Sequence, residues 1–328
     1  MSKASADVAK TSKAIAPVPG DGHRPRWSVM IPTFNCAQYL QQALESVIAQ
    51  DRGATQMQIE VIDDCSTTDD PEAVVREVGK GRVSFYRQPT NQGATANFNT
   101  CIERSRGSMV HILHGDDWVE PGFYAEMEEL SQHHADAALF ASRFYFVEED
   151  GCRIEISGRL KRFEQGVSHD IADFWRGPAI HFTCCVIRRQ FFEEHGGFVP
   201  QLIHAADWEL WVRGIRKGGM VTIPGVLGNY RLFQGNDTGR LMRLAENLKD
   251  RERCIQILAS DYEDFDAKKA TGYTLALCER QEREFKKLGD LESVKCNRTF
   301  WNSTAGFKPK VKRMLRSIVA PLARRLDL

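Results

Sequence analysis

Residues 109–120, with the sequence MVHILHGDDWVE, join an apolar run to a pair of adjacent acids. The run is short and apolar enough to predict a buried strand. It ends at Gly115, and Asp116 and Asp117 follow directly. Two carboxylates this close repel each other unless a cation or a donor lies between them, and Mg²⁺ usually binds one or two carboxylates plus substrate phosphates. The stretch therefore predicts a metal–diphosphate site at a strand end. A polar turn, which Gly-Asp-Asp also suits, is the alternative.

The composition of the 328-residue chain is that of an ordinary globular protein. It is 42% hydrophobic and 27% charged, with a formal net charge of zero, so no global field favours nucleic acid as a partner. No apolar run approaches the roughly 18 residues needed to span a bilayer. The nine cysteines include no C-x-x-C pair. That pattern favours a reduced, cytoplasmic chain with buried thiols over a disulfide or zinc framework.

A strand, a polar loop and a helix follow one another three times before residue 109. The strands are predicted at residues 26–31, 58–62 and 83–86, and the helices at residues 36–50, 72–78 and 94–104. This alternation predicts a doubly wound α/β sheet flanked by helices, in which ligands bind at the carboxyl ends of the strands. The G-x-G-x-x-G fingerprint and the Walker A loop are both missing, which disfavours a Rossmann dehydrogenase and a P-loop NTPase.

Polar side chains stand at the predicted carboxyl ends of the first two strands. Thr33 and Asn35 follow Pro32, which must end its strand because proline cannot donate to a central ladder. Asp63 and Asp64 follow the second strand, where carboxylates suit a ribose hydroxyl or a base N–H. Capping of the next helix is the alternative role for all four polar residues.

Two later segments add candidate site residues. Asn91 and Gly93 form a turn before a helix whose first turn carries small residues, which lets a phosphate or sugar approach the helix N-terminus. Asp207 lies in the first turn of a helix predicted from Ala206. There it is either a general base beside the cleft or a favourable charge at a helix start. Glu209 is predicted on a different face, solvated or salt-bridged.

The remaining pattern predicts further strands and helices. Strands are predicted at residues 137–147, 182–187, 220–223 and 226–233, and helices at residues 121–133, 168–175, 240–259, 267–287 and from 291 onward.

Several motifs together resemble family 2 glycosyltransferases of the GT-A fold. In chain order they are Pro32-Thr33-Phe34-Asn35, Asp63-Asp64-Cys65-Ser66-Thr67-Thr68-Asp69, Asn91-Gln92-Gly93, His114-Gly115-Asp116-Asp117, Asp207 in Ala-Asp-Trp-Glu-Leu, and Tyr230-Arg231. Each motif alone is weak, but six in sequence with fitting spacing are specific. The resemblance covers about residues 26–238.

The resemblance implies a role for each motif. The implied nucleotide-binding residues are Pro32, Thr33, Asn35, Asp63, Asp64, Asn91, Gly93, His114, Asp116 and Arg231. Asp64 is favoured over Asp63 for the base, although the sequence does not separate them. Asp116 and Asp117 would hold Mn²⁺ or Mg²⁺, and Asp207 matches the catalytic base. His181 and residues 176–183 would border the acceptor site.

Three positions depart from the family's pattern. His114 replaces the first acid of the Asp-x-Asp element, which puts the ribose contact in doubt. Phe233 stands where the family often has a histidine, so that a third protein ligand to the metal is missing. Cys65 stands where glycine is usual.

The implied domain organisation has three parts. Residues 1–25 form a flexible leader, residues 26–238 a GT-A glycosyltransferase domain, and residues 239–328 a helical extension. Residues 308–328 form a basic amphipathic stretch, which either lies on an anionic membrane surface or packs on the protein. The expected location is the cytoplasm, peripherally at the inner membrane face.

The implied function is inverting transfer of a sugar from a nucleoside diphosphate sugar to a hydroxyl acceptor. The preferred carrier is UDP or dTDP. The implied acceptor is a glycan or lipid-linked molecule in cell-surface polysaccharide or glycolipid synthesis. Two alternatives remain open. One is a sugar nucleotidyltransferase, which usually carries a Gly-rich basic loop after the first strand. The other is a non-catalytic nucleotide-sugar-binding protein, which the departures at His114 and Phe233 favour.

Overall fold

The computed structural model describes residues 12–20, 24–233 and 237–306. The strands of this part are Trp27–Thr33 (β1), Met57–Asp63 (β2), Ser84–Arg87 (β3), Met109–Ile112 (β4), Trp118–Val119 (β5), Leu139–Val147 (β6), Arg153–Ile156 (β7), Cys185–Arg188 (β8) and Met220–Arg231 (β9). Its α-helices are Ala37–Ile48 (α1), Pro71–Gly79 (α2), Ala94–Arg104 (α3), Phe123–His133 (α4), Arg189–His195 (α5), Ala206–Gly218 (α6), Asp237–Arg243 (α7), Glu246–Asp261 (α8), Ala267–Lys287 (α9) and Leu291–Thr304 (α10).

The strands form one mixed sheet in the order β3-β2-β1-β4-β8-β6-β9-β5, with β7 paired to β6. The first four strands of this order are parallel, as strand–helix–strand crossovers require. β8 then runs antiparallel to both β4 and β6. The carboxyl ends of β1, β2 and β4 therefore meet at one edge of the sheet, which confirms the predicted α/β architecture.

Two hydrophobic clusters cover the two faces of the sheet. Val29 and Ile31 of β1 belong to one cluster, and Met30 between them belongs to the other, because successive side chains of a strand point to opposite faces. The helices supply the rest: α1 contributes Leu40 and Leu44 to the first cluster, while α3, α5 and α6 contribute to the second. The apolar stripe predicted for the first helix is therefore buried as expected.

Several predicted elements differ in the structure. The first strand, predicted to end before Pro32, continues to Thr33, and the helix predicted at residues 240–259 is divided between α7 and α8. Residues 182–184 form a 3₁₀ turn, so that the strand predicted from 182 begins only at Cys185. Ser168 exchanges backbone hydrogen bonds with Met220 instead of starting a helix, and only residues 172–174 of that stretch are helical. The two strands predicted at 220–233 are one strand, β9, whose pairing with β6 shifts register near Arg143 and so accommodates Pro224.

The prediction of a flexible leader is wrong for residues 12–20, which pack against the sheet domain. Ile15 is 4% exposed and belongs to the core cluster of α3 and α6. Lys13 donates its backbone N–H to the carbonyl of Phe198 at 3.4 Å and accepts one from Gly197 at 2.7 Å. One buried aliphatic residue in a polar stretch is too weak a pattern to predict this packing.

The helical extension begins at α7, and its helix α8 packs against α6. The predicted amphipathic stretch 308–328 lies outside the described residues. Over the ranges described above, no helix is both long enough and apolar enough to cross a membrane. All nine cysteines are free thiols, as predicted.

Candidate functional site

A cleft of about 540 Å³ opens at the carboxyl ends of β1, β2 and β4. Backbone bonds hold these ends together: Asp64 N–H donates to the Thr33 carbonyl at 2.9 Å, and Gly115 N–H donates to the Pro32 carbonyl at 3.0 Å. The lining residues are Pro32, Thr33, Phe34, Asn35, Cys36, Asp64, Asn91, Gly93, Ala94, Asn97, Phe98, His114, Gly115, Asp116, Phe233 and Arg240. Gly115 has a steric reason to be glycine, because a Cβ there would lie 3.1 Å from Thr33 Oγ1.

The loops after β1 and β2 interlock through Asn35. Its side-chain carbonyl accepts N–H bonds from Thr67 at 2.9 Å and Thr68 at 3.1 Å, and its own N–H donates to Ser66 Oγ at 2.8 Å. Cys65 in this loop has φ of 64°, a left-handed conformation that favours glycine. The glycine that is usual in the family would suit this backbone conformation, which the present chain adopts with a cysteine.

The structure separates the two adjacent acids after β2. Asp64 lines the cleft and accepts backbone N–H bonds from Gln92 at 2.8 Å and Gly93 at 2.9 Å. Burial raises the pKa of Asp64. Asp63 instead turns away: its fully buried carboxylate receives Arg87 Nε at 2.6 Å and the Ser66 hydroxyl at 2.5 Å. The prediction that Asp63 itself contacts the nucleotide therefore does not match its placement.

Asn91 and Gly93 line the cleft directly beside Asp64. Asn91 Nδ2 donates to the Asp64 carbonyl at 3.2 Å. Gly93 directly precedes α3 with φ of 83°, which glycine adopts without strain. The N-terminal turn of α3 therefore faces the cleft next to the Asp64 carboxylate.

His114 and Asp116 line the cleft from the end of β4. The His114 ring stacks on Phe98 with centroids 5.1 Å apart, and its Nε2 is buried without a partner among the described residues. Burial lowers the pKa of His114 to about 4, so the ring is neutral at pH 7. Burial raises the pKa of Asp116 to about 6.

Asp117 does not line the cleft, and its carboxylate lies near the imidazoles of His114 and His181. Its Oδ2 accepts the Thr183 hydroxyl at 2.6 Å and lies 3.6 Å from His181 Nδ1 and 4.0 Å from His114 Nδ1. The ligand atoms of His114, Asp117 and His181 all lie within 4.8 Å of one another, the one such cluster found in the described ranges. Burial and the charge of Asp116 raise the pKa of Asp117. The predicted metal pair is thus divided between the cleft and this imidazole-lined cluster.

Arg231, predicted to bind the nucleotide, is not among the residues that line the cleft. It is 3% exposed, and its guanidinium donates to the backbone carbonyls of Asp116, at 2.9 Å, and Glu149 and to the side chain of Gln42, at 2.5 Å. Its backbone N–H donates to Asp117 Oδ1 at 2.9 Å. The guanidinium nitrogens are bonded in this way because β9 pairs with β5. That pairing buries the end of β9 beneath the loop that carries Asp116 and Asp117.

Arg240 and Phe233 line the cleft instead. Sequence reasoning missed Arg240, although an arginine in the helix directly after the Tyr-Arg motif was a visible signal. Phe233 presents an aromatic ring, packed on Tyr39 with centroids 4.9 Å apart, where a metal-binding histidine was expected.

Asp207 lies in the first turn of α6, half-buried, and does not line the cleft itself. Its Oδ1 accepts the Trp208 N–H at 2.6 Å. Burial raises the pKa of Asp207 to about 7, with the Arg251 guanidinium acting in the opposite direction. Glu209 is fully buried rather than solvated and forms the predicted salt bridge, with Arg213 at 2.8 Å.

Tyr230 is influenced electrostatically both by Asp207 and by the acids at the end of β4. Its ring stacks on His181 with centroids 4.0 Å apart. Burial raises the pKa of Tyr230, and the negative charges of Asp117, Asp116 and Asp207 raise it further. The negative charges of all three acids therefore act on one tyrosine, and His181 lies against the face of its ring.

The chain is similar in sequence to several curated proteins. It is 27% identical over 270 residues to an uncharacterized protein of Mycobacterium tuberculosis (strain CDC 1551 / Oshkosh), covering 74% of this chain and 81% of the relative. It is also 27% identical over 116 residues to the poly(ribitol-phosphate) beta-N-acetylglucosaminyltransferase TarS of Staphylococcus aureus (strain Mu50 / ATCC 700699). That match covers 35% of this chain and only 20% of TarS.

Two solved structures share the fold. Residues 1–349 of S. aureus TarS in complex with UDP-GlcNAc superpose with a TM-score of 0.54 at 15% identity, covering 85% of this chain and 91% of that one. The mannosyltransferase PcManGT of Pyrobaculum calidifontis, in complex with GDP-Man and Mn²⁺, gives a TM-score of 0.55 at 18% identity, covering 96% and 84%. These similarities confirm the GT-A fold.

The family model described as "Glycosyl transferase family 2" matches residues 28–196, just over half of the chain. The match takes in β1, the Asp63-Asp64 loop, the turn before α3 and the acids after β4, and it includes all of the cleft-lining residues except Phe233 and Arg240. The chain therefore belongs to glycosyl transferase family 2.

Proposed function

We propose that this chain transfers a sugar, with inversion, from a nucleoside diphosphate sugar to a hydroxyl acceptor. The observation that carries the proposal is the cleft in which Asp64 and Asp116, from the ends of two different strands, line one hollow. Its volume of about 540 Å³ lies within the roughly 300–1,000 Å³ typical of small-molecule sites.

The nucleoside end of the donor is proposed to bind at Asp64. Both carboxylate oxygens are fixed by backbone N–H groups, yet each keeps a second lone pair for a base or ribose donor. Thr33, Asn91 and Gly93 border the same end of the cleft. We keep UDP or dTDP as the preferred carrier, and the neighbours' complexes, with UDP-GlcNAc and GDP-Man, make GDP the necessary comparison.

The diphosphate is proposed to lie between Asp116 and Arg240. Arg240 supplies positive charge to the cleft, and a cation on Asp116 would neutralise charge on the leaving group when bound. The residues present fit Mn²⁺ or Mg²⁺, since Asp116 offers carboxylate oxygens in the cleft. His114 and His181 carry lowered pKa values, and neutral imidazoles can bind a metal. The cluster they form with Asp117 fits Mn²⁺ better than Mg²⁺, because Mg²⁺ prefers oxygen ligands.

Asp207 is proposed as the general base. Its carboxylate takes the proton of the acceptor hydroxyl as that oxygen forms a bond to the anomeric carbon. The bond from the anomeric carbon to the diphosphate oxygen breaks, and its electron pair leaves with the nucleoside diphosphate. One displacement with one base gives inversion. A pKa of about 7 suits this role, because a base is most effective when its pKa is near the working pH.

The acceptor is proposed to be a hydroxyl of a cell-surface glycan or a glycolipid. The polymer named for TarS supports this class, as does the aromatic surface of His181 and Tyr230, on which a sugar ring could stack. Work at the inner membrane face is part of the same proposal. Liposome flotation with and without residues 307–328 tests it, and equal flotation would contradict it.

A non-catalytic nucleotide-sugar binder remains the second candidate, because His114 and Phe233 replace residues that the family uses for ribose and metal. Pyrophosphate release, in contrast, would identify a nucleotidyltransferase. Neither alternative assigns a role to Asp207, whose raised pKa suits a general base.

Two measurements test the proposal. Thermal shifts with UDP, dTDP and GDP, each with and without Mn²⁺, identify the carrier, and a ligand at 100 times its Kd stabilises by about 2.7 kcal/mol. Transfer is then measured with the matching sugar nucleotides and a panel of glycan acceptors. Asp207→Asn should lower transfer by roughly 10²–10⁴-fold with nucleotide binding intact. The exposed Asp173→Asn is the matched control. Equal turnover in Asp207→Asn would remove Asp207 from the mechanism, and binding without turnover would favour the second candidate.

A further inference from the structure

The loop that precedes α6 is held by one carboxylate of α8. Oδ2 of Asp250 accepts backbone N–H bonds from Ile203 at 3.0 Å, His204 at 2.8 Å and Ala205 at 2.8 Å. Asp250 is fully buried, and its other oxygen receives Arg253 at 3.3 Å. Three N–H donors that converge on one carboxylate oxygen fix the backbone immediately before Asp207.

The next residue of α8 holds the other side of the same turn. Arg251 is 6% exposed, lies over the Trp208 ring at 4.6 Å, and donates to the Arg176 carbonyl at 2.5 Å. A Cβ at Gly177 would lie 2.6 Å from its Nη1, so the guanidinium fills the space beside this glycine. Arg251 therefore links α8 to Trp208 and to the segment 176–177.

Trp208 completes the frame around Asp207. Its indole is fully buried and donates Nε1–H to the Phe174 carbonyl at 2.7 Å. Asp207 thus lies between two fixed neighbours: Ala205, bound by Asp250, and Trp208, covered by Arg251. The family-model match ends at residue 196, so that both contacts come from helices beyond it.

We propose that α8 belongs to the catalytic unit, and that Asp250 and Arg251 are positioning residues that hold Asp207 in place at the start of α6. This proposal rests on the proposed role of Asp207 as general base. Under this proposal, the domain boundary predicted at residue 238 does not separate two functional units, because α8 of the helical extension holds the start of α6.

The two residues act on Asp207 with opposite charge. The titratable groups that interact electrostatically with Asp207 are Asp250, Arg251 and Cys254 from α8 and Tyr230 from β9. Arg251 lowers the pKa of Asp207 and Asp250 raises it. Removing the charge of Arg251 should therefore raise the pKa of Asp207, and removing that of Asp250 should lower it. A general destabilisation of the fold would not shift the pKa in opposite directions.

The first readout is the protonation of Asp207 in the full chain. The ¹³Cγ resonance of labelled aspartate is followed against pH, and Asp207→Asn assigns the signal. We expect the midpoint to rise in Arg251→Gln, to fall in Asp250→Asn and to stay in Arg251→Lys, which keeps the charge. Asp266→Asn is the matched control, because Asp266 caps α9 of the same extension through Lys269 N–H at 2.8 Å.

The second readout is hydrogen exchange of the peptide that contains residues 203–208. Asp250→Ala should speed exchange of the three anchored amides by about ten-fold, and Asp266→Ala should leave them unchanged. If Asp250→Ala does not fold, Asp250→Asn is measured in its place. Equal midpoints in Asp250→Asn and Arg251→Gln, or unchanged exchange at 203–205, would overturn the proposal. Neither readout requires turnover, so failure of the base assignment, seen as full transfer in Asp207→Asn, remains separate.

Discussion

Oδ2 of Asp64 accepts the backbone N–H of Gly93 at 2.9 Å, which joins the end of β2 to the start of α3. The bond presents the carboxylate to the cleft before any ligand arrives. A site that is already arranged loses less entropy on binding than one that must be ordered. This relationship distinguishes Asp64 from Asp63, whose oxygens are directed at Arg87 and Ser66.

The first prediction separates these two acids. Asp64→Ala should weaken binding of the carrier nucleotide by about 10- to 100-fold, because a buried hydrogen bond to a charged group is worth roughly 1.5–3 kcal/mol. Asp63→Ala should mainly lower the free energy of unfolding, by about 1–3 kcal/mol, since Arg87 and Ser66 lose their partner. Calorimetric titration and urea unfolding measure the two effects. Reversed results would show that Asp63, not Asp64, faces the ligand.

The second prediction concerns the imidazole pair. If His181 contributes to the cation site, His181→Ala should weaken Mn²⁺ binding at least about ten-fold, with a smaller effect on Mg²⁺, since imidazole is a poor ligand for Mg²⁺. Mn²⁺ electron paramagnetic resonance in the presence of UDP reports the affinity. His195→Ala, at the far end of α5, is the control. An unchanged Mn²⁺ affinity would leave Asp116 and the diphosphate as the cation's ligands.

The third prediction concerns Arg231. Arg231→Met should lower the free energy of unfolding by about 2–4 kcal/mol, because the carbonyls of Asp116 and Glu149 and the Gln42 side chain lose a buried donor. Chemical denaturation measures this loss. Nucleotide affinity should change less than in Asp64→Ala, and a larger loss of affinity with unchanged stability would restore Arg231 as a direct contact.

The fourth prediction follows from the raised pKa of Asp207. The folded protein holds the proton up to a pH of about 7, whereas an unfolded aspartate releases it near pH 3.9. Stability therefore falls as pH rises from about 4 to 7, and the cost is fully present above 7. Asp207→Asn removes this cost. The variant should gain on the order of 1–3 kcal/mol relative to the parent between pH 4 and pH 8. A pH-independent difference in thermal unfolding would contradict the raised pKa.

The sequence was sufficient for the local architecture and for the residues at strand ends. The apolar stripe of α1 and the apolar runs of β1, β2 and β4 predict which residues are buried, because side chains recur on one face with a fixed period in a helix and in a strand. Once those strands are parallel, their carboxyl ends must share an edge. That is why acids from the loops after β2 and β4 could be expected at one edge, although the sequence did not separate Asp63 from Asp64.

Contacts between distant segments could not be predicted in this way. Thr183 donates to Asp117 across 66 residues, and Asp250 binds amides 45 to 47 residues earlier in the chain. The pattern of α8 shows that one face is apolar, but nothing in it states which loop Asp250 meets. Likewise, Arg231 was recognisable from its motif, whereas its burial depends on how β9 lies beside β5.

The packing of residues 12–20 bears on how the protein should be prepared for experiments. A chain shortened to begin at Arg24 would lose Ile15 from the core and would free the Lys13 partners beside Phe198. The vacated groove would leave apolar surface exposed to water, and the shortened protein would be prone to aggregate during purification. Affinity tags are therefore better placed before Ser12, and the protease that removes the tag should cut upstream of that residue.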